Sequence, residues 1–114
     1  MRRIFILIVF ILISTNLSVA QDAKIIQTEF KVFGNCEMCK SRIEKAVKIN
    51  EVKYAKWNKN TKMLKIAFVS TIDVDSLHKR IAEVGHDTEK YKAQDEVYSS
   101  LPKCCLYRDK ANTH

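Results

Sequence analysis

Apolar and polar positions alternate along much of this chain, and the period switches between two and nearly four at clear breaks. In residues 25–33, Ile26, Phe30 and Val32 fall on one side and Gln27, Glu29 and Lys31 on the other, which is the signature of a half-buried strand. Thr28 on the inner side and Phe33 on the outer are out of pattern. Gly34-Asn35 ends the run. Over residues 37–49 the period lengthens: Ile43, Ala46, Val47 and Asn50 share one helical stripe, with only Asn50 polar. Asn35 is placed to cap that helix, since its side-chain oxygen can accept a free amide of the first turn.

Residues 51–57 are rich in strand formers, and residues 62–69 alternate with Leu64, Ile66 and Phe68 on one face. Asn58-Lys59-Asn60 between them is turn chemistry, because Asn tolerates positive φ, so the two runs predict a hairpin. Asp73 caps a second helix through Val84, with Val74, Leu77, Ile81 and Val84 on one side and Gly85 as its stop. Residues 86–93 read as a last short strand. The order β-α-β-β-α-β predicts an α+β, ferredoxin-like sandwich: a four-stranded antiparallel sheet with two helices on one face. Residues 94–114 form a short C-terminal extension. It holds the sole proline, Pro102, and the adjacent pair Cys104-Cys105, and residues 94–101 suit a short helix.

The first 20 residues have the makings of a secretory signal: Arg2 and Arg3, an unbroken apolar run from Ile4 to Ile13, then Ser18-Val19-Ala20 as a cleavage site. A spanning helix needs about 20 apolar residues, and Ser14, Thr15 and Asn16 interrupt this run early. The expected organisation is a signal over 1–20, a domain over 21–93 and the extension over 94–114. The expected location is periplasmic or secreted, with no stable membrane span once the signal is removed.

Charge changes this picture little. The chain carries 20 basic and 13 acidic residues, a net +7. A nucleic-acid binder gathers such charge on one face with exposed aromatics. Here the lysines are spread over every predicted element, so nucleic acid is not an expected partner, whereas an acidic protein or membrane surface would be favoured.

The cysteines change it most. Four are present: Cys36, Cys39, Cys104 and Cys105. An even count in an exported chain suggests disulfides, yet a C-x-x-C pair and an adjacent pair each close only a tiny loop, which constrains the unfolded chain little. Cross-pairing between the two groups, stapling the tail to the domain, stays open. Cys36-Glu37-Met38-Cys39 falls where a strand turns into a helix. There the helix N-terminus, with Lys40 and Arg42 nearby, favours thiolates. Two thiolates across a tight turn suit a soft ion of low coordination number: Cu(I) foremost, with Hg(II) or Zn(II) as alternatives. A thiol-disulfide redox protein uses the same spacing, but the chain is short for a thioredoxin-type enzyme and Pro102 lies far out in the tail. Catalysis is therefore not expected. Met38, between the two cysteines, offers a soft thioether. His78 and His114 read as solvent residues.

The strand, the C-x-x-C loop and the element order resemble the heavy-metal-associated domain. That family includes copper metallochaperones, modules of copper-pumping ATPases and the periplasmic mercury-binding protein. The likeness spans about residues 25–92. Val52-Lys53-Tyr54-Ala55-Lys56-Trp57-Asn58 with Thr61-Lys62 resembles the hairpin of bacterial members, and Ile81-Ala82-Glu83-Val84-Gly85-His86-Asp87 resembles their second-helix exit. The resemblance implies Cys36 and Cys39 as metal ligands. It implies a metal-transporting ATPase or another metal-binding protein as partner, and a mercury carrier as the alternative role. It also makes His86, in a turn that approaches the metal loop in this fold, a candidate third ligand. The tail from Tyr98 to Arg108 is similar to an extension on some bacterial members, so Cys104 and Cys105 join the candidate ligands. An extended tail is long enough to return to the loop, at up to ~3.3–3.6 Å per residue; a wholly helical one is not. One departure stands out. Gly34 occupies a place where the family usually has Met, which implies a more mobile loop or one supported by Phe33 or Met38.

Overall fold

A computed structural model describes residues 23–109. The proposed signal and His114 lie outside the described residues. Among the described residues three strands form: β1 (Ile25–Lys31), β2 (Val52–Trp57) and β3 (Met63–Val69). They make an antiparallel sheet in the order β1-β3-β2. In β3 the alternation is realised as expected, with Leu64, Ile66 and Phe68 buried. Their partners across the sheet are Phe30, Thr28 and Ile26 of β1 and Trp57, Ala55 and Val52 of β2. On the opposite face Glu29 and Lys56 both sit opposite Lys65, so this side stays polar.

Helices α1 (Glu37–Ala46) and α2 (Val74–Glu83) supply Ile43, Leu77 and Ile81 to one core with the buried strand residues, and Val47 joins it from the end of α1. Asp73 caps α2 as expected, its carboxylate accepting the Ser76 amide at 2.9 Å. Gly85 stops α2 in the left-handed region, φ +104, where a side chain would also collide with Leu101. A third, short helix α3 (Asp95–Ser99) and a single 3-10 turn (Lys103–Cys105) form the tail. No helix among the described residues is long and apolar enough to cross a membrane.

Four expectations need correcting. The fourth strand is reduced to one antiparallel bridge, Val32 to Thr88. Thr88 Oγ1 accepts the amides of Lys90 and Tyr91 at 3.1 and 3.0 Å, and this local turn ends the pairing after one residue. Asn35 does not cap α1. Cys36 holds that position, with no side-chain cap bond, and the buried Asn35 amide has no partner on either polar atom. In the hairpin, Asn58 Oδ1 does accept the amides of Asn60 and Thr61, but the left-handed residue is Lys62, φ 66. His78 is buried rather than solvated. It stacks on Phe30 at 3.9 Å between centroids and shares a 2.7 Å hydrogen bond with Thr88.

Candidate metal centre

The β1–α1 loop is built around a missing side chain. A Cβ on Gly34 would lie 3.0 Å from Cys39 Cβ and 3.1 Å from the Trp57 ring. Trp57 fills the space under the loop, and its indole N–H donates to the Val32 carbonyl at 3.0 Å. The support expected from Phe33 or Met38 thus comes from a strand β2 residue, and Phe33 and Met38 are exposed. The amide of Phe33 donates to Asp87 O at 2.9 Å, and His86 Nδ1 donates to Phe33 O at 2.8 Å. The turn after α2 therefore does brace the loop, as the resemblance implied.

The tail folds back over this loop. Cys36 Sγ lies 3.3 Å from Cys39 Sγ, 3.4 Å from Cys104 Sγ and 3.4 Å from Cys105 Sγ. The sulfurs of Cys36, Cys104 and Cys105 all lie within 4.8 Å of one another. All four cysteines stand as free thiols. Sulfurs sharing one ion at about 2.3 Å stand about 3.8 Å apart, so the contacts of Cys36 with Cys104 and Cys105 need only a few tenths of an ångström of expansion, while Cys39 lies outside that three-sulfur group. Cys39 and Cys105 are fully buried and Cys104 is exposed. Met38 Sδ is 3.5 Å from Cys104 Sγ.

The tail is held by a clamp that motif reading passed over. Arg108 donates to both carboxylate oxygens of Asp87, from Nη2 at 2.7 Å and from Nε at 3.0 Å. It also donates to Ala93 O, and it lies over the Tyr98 ring. Tyr107 donates its hydroxyl to Gly85 O at 2.6 Å and accepts the Asp87 amide at 2.7 Å. Its ring stacks on His86, and Leu101 packs on Gly85. The available signal was Asp87 and Arg108 as a charge pair flanking the tail, but nothing in their spacing says that they meet.

His86 is fully buried. Because its Nδ1 donates, its Nε2 carries the lone pair, and that atom has no partner. Burial is the main cause that pushes its pKa down to about 4, so the ring is neutral. It nevertheless does not join the three-sulfur group. The structure thus brings Cys36, Cys39, Cys104 and Cys105 together and places His86 beneath the loop as a brace. The basic residues read as loop charges are engaged: Lys40 with Glu44 at 3.0 Å and Arg42 with Cys105 Sγ at 3.4 Å.

Burial opposes ionisation of Cys36, but the Cys39 amide and the thiols of Cys39, Cys105 and Cys104 outweigh it and bring its pKa down to about 7. Burial, with Cys39 and Cys36 as neighbours, drives Cys105 strongly up. Cys104, although exposed, is also raised, chiefly by its contact with Cys36. Cys36 is therefore readier to ionise than Cys104 and Cys105 beside it, and a metal that recruits those two must displace their protons. Alkylation of the metal-free protein is expected to strike Cys36 before the more exposed Cys104. Its rate should rise with a midpoint near pH 7 and level off above, as peptide mapping across a pH series would record.

A small α+β domain carrying a thiol cluster on its first strand-to-helix loop has the architecture of a soft-metal-binding module. Among solved structures, the chain is similar to a CopZ metallochaperone, with 26% identity and a TM-score of 0.53, over 55% of this chain and 98% of that one. The resemblance to the heavy-metal-associated domain thus holds in three dimensions as well as in motif. No family model and no curated protein matches the sequence.

Proposed function

We propose that this protein is an exported carrier or scavenger of a soft heavy-metal ion, Cu(I) foremost, held on thiolates of Cys36 and Cys39 together with the tail pair, and that it acts without catalysis. The observation that carries this reading is the approach of four sulfurs from two distant segments to within 3.3–3.8 Å of a neighbour. Thiolates select Cu(I) over harder ions, and the similarity to a metallochaperone supports the same role. The apolar run from Ile4 to Ile13 supports export. Transfer follows from ligand exchange. A two- or three-coordinate ion leaves a side open to an incoming thiolate, and the open cleft beside Cys36, Met38, Lys59 and Cys104 is where a partner's sulfur would arrive. A metal-transporting ATPase or a second metal-binding protein is the fitting partner.

The test is Cu(I) and Hg(II) competition on reduced protein with native mass spectrometry. Loss of Cys36 and Cys39 together should abolish binding, and Cys104→Ser/Cys105→Ser should weaken it by at least tenfold. A preference for Hg(II) in the same competition would favour the mercury carrier. The lowered Cys36 thiol also suits dithiol exchange. Insulin reduction lost on Cys36→Ser, with no metal bound, would favour a redox protein instead.

A further inference from the structure

The four sulfurs are not equivalent. Cys36, Cys104 and Cys105 form a closed triangle with sides of 3.4, 3.4 and 3.8 Å. Three sulfurs in a plane around one ion at about 2.3 Å stand about 4.0 Å apart, so the triangle is within about 0.6 Å of a trigonal seat. Cys39 meets Cys36 at 3.3 Å but lies outside this group. It belongs to the core instead: it is fully buried, and its Cβ is 3.0 Å from where a Gly34 Cβ would stand. Positive charge is aimed at the triangle as well. Arg42 Nη1 donates to Cys105 Sγ at 3.4 Å, and a guanidinium there offsets the charge that gathers when three thiolates surround a monovalent ion. The backbone fixes the tail pair. The Cys105 amide donates to Pro102 O at 2.8 Å, and Cys105 O accepts the Tyr107 amide at 2.8 Å.

Resting on the metal-binding reading above and narrowing its ligand set, we propose that one soft ion rests on the three thiolates of Cys36, Cys104 and Cys105. Cys39, although half of the C-x-x-C motif, does not ligate while the tail is in place. Two of the three ligands then come from a segment 68 and 69 positions away from Cys36. Zn(II), which structural sites close with four ligands, suits such a seat less well than Cu(I) or Hg(II). Cys39 serves when the tail is displaced, because Cys36 and Cys39 are then left in contact. The bond from the ion to Cys39 forms as those to Cys104 and Cys105 break. The Cys39 proton passes to one released sulfur and solvent supplies the other. The ion goes from three ligands to two, and an incoming thiolate can take it from there.

The test is Cu(I) titration of the reduced full chain against a chromophoric chelator, with X-ray absorption counting the sulfurs on the ion. Wild type should show three. Cys39→Ala, which removes the sulfur and keeps the buried Cβ, should still show three and lose less than threefold in affinity. Cys104→Ser and Cys105→Ser should each fall to two and lose at least tenfold. In the Cys104→Ser/Cys105→Ser background, adding Cys39→Ala should abolish binding, a coupling absent from the single variant. Four sulfurs on wild type, a count unaltered by either tail substitution, or a loss in folded Cys39→Ala equal to that of the tail variants would each overturn the proposal while leaving metal binding intact. The wild-type count and the tail variants decide the case even where Cys39→Ala fails to fold. No uptake by wild type would overturn the metal-binding reading itself.

Discussion

Replacing Cys36 with serine is expected to remove Cu(I) binding almost entirely, a larger loss than any other single cysteine substitution produces. The reason is positional. Every other sulfur of the cluster is in contact with Cys36, so its loss leaves only the Cys104–Cys105 pair, 3.8 Å apart, whereas loss of Cys39, Cys104 or Cys105 leaves Cys36 with two sulfur neighbours. The reason is also electrostatic. Cys36 is the thiol brought down to about 7, so it supplies the charge that first attracts the cation, while the raised Cys104 and Cys105 lose protons only against a bound ion. Folding should be spared, since Cys36 caps α1 through its backbone alone. Competition against a Cu(I) chelator across the four single serine variants, with circular dichroism of each, checks this. Equal losses across the four would contradict the hub.

The second large effect is expected far from any sulfur. Asp87→Ala should cost about 2–3 kcal/mol of stability, because a charged bidentate pair and the cap on the Ala93 amide vanish while Arg108 keeps its charge. That figure is set below the range for fully buried pairs because both side chains retain some exposure. In a domain this small it lowers the melting midpoint by roughly 10 °C. It should also weaken Cu(I) binding, because Arg108 and Tyr107 fix the segment that presents Cys104 and Cys105. Arg108→Ala should behave alike, and the double variant should cost little more than either single one, the mark of a direct pair. Burial opposes charge on Asp87, but Arg108 and the Ala93 amide outweigh it and hold the carboxyl below its ordinary 3.8. The clamp's contribution is therefore complete above that value and drains away on acidification below it. Thermal melts of metal-free protein from pH 3 to 7 would register this.

The parts of the architecture that depend on local chemistry were legible in the sequence. The alternation of Leu64, Ile66 and Phe68, the Asp73 cap, the Gly85 stop and the C-x-x-C at a strand-to-helix bend each depend on neighbours a few positions away. Where distant side chains compete with backbone pairing, legibility ended. Thr88 diverts two amides that a fourth strand would use, and hydropathy does not register a hydroxyl's choice of partner. His78 is polar by type but buried by its stack on Phe30. Gly34 read as a gap under the loop, because the ring that fills it belongs to Trp57, 23 positions on. Reach arithmetic allowed the tail to return to Cys36 but could not select that path. The selection is made by Tyr107 and Arg108 meeting Gly85 and Asp87, contacts that exist only once the rest has folded.

Cys36 and Cys105 stand 69 positions apart, so the two halves of the thiol cluster are synthesised at different times. Contacts over such separations form late, after the cost of closing the intervening loop has been met. A nascent or clipped chain offers a bare two-sulfur loop, and only the finished chain can close the fuller cage. How firmly an ion is retained is thus a report on whether the polypeptide is whole.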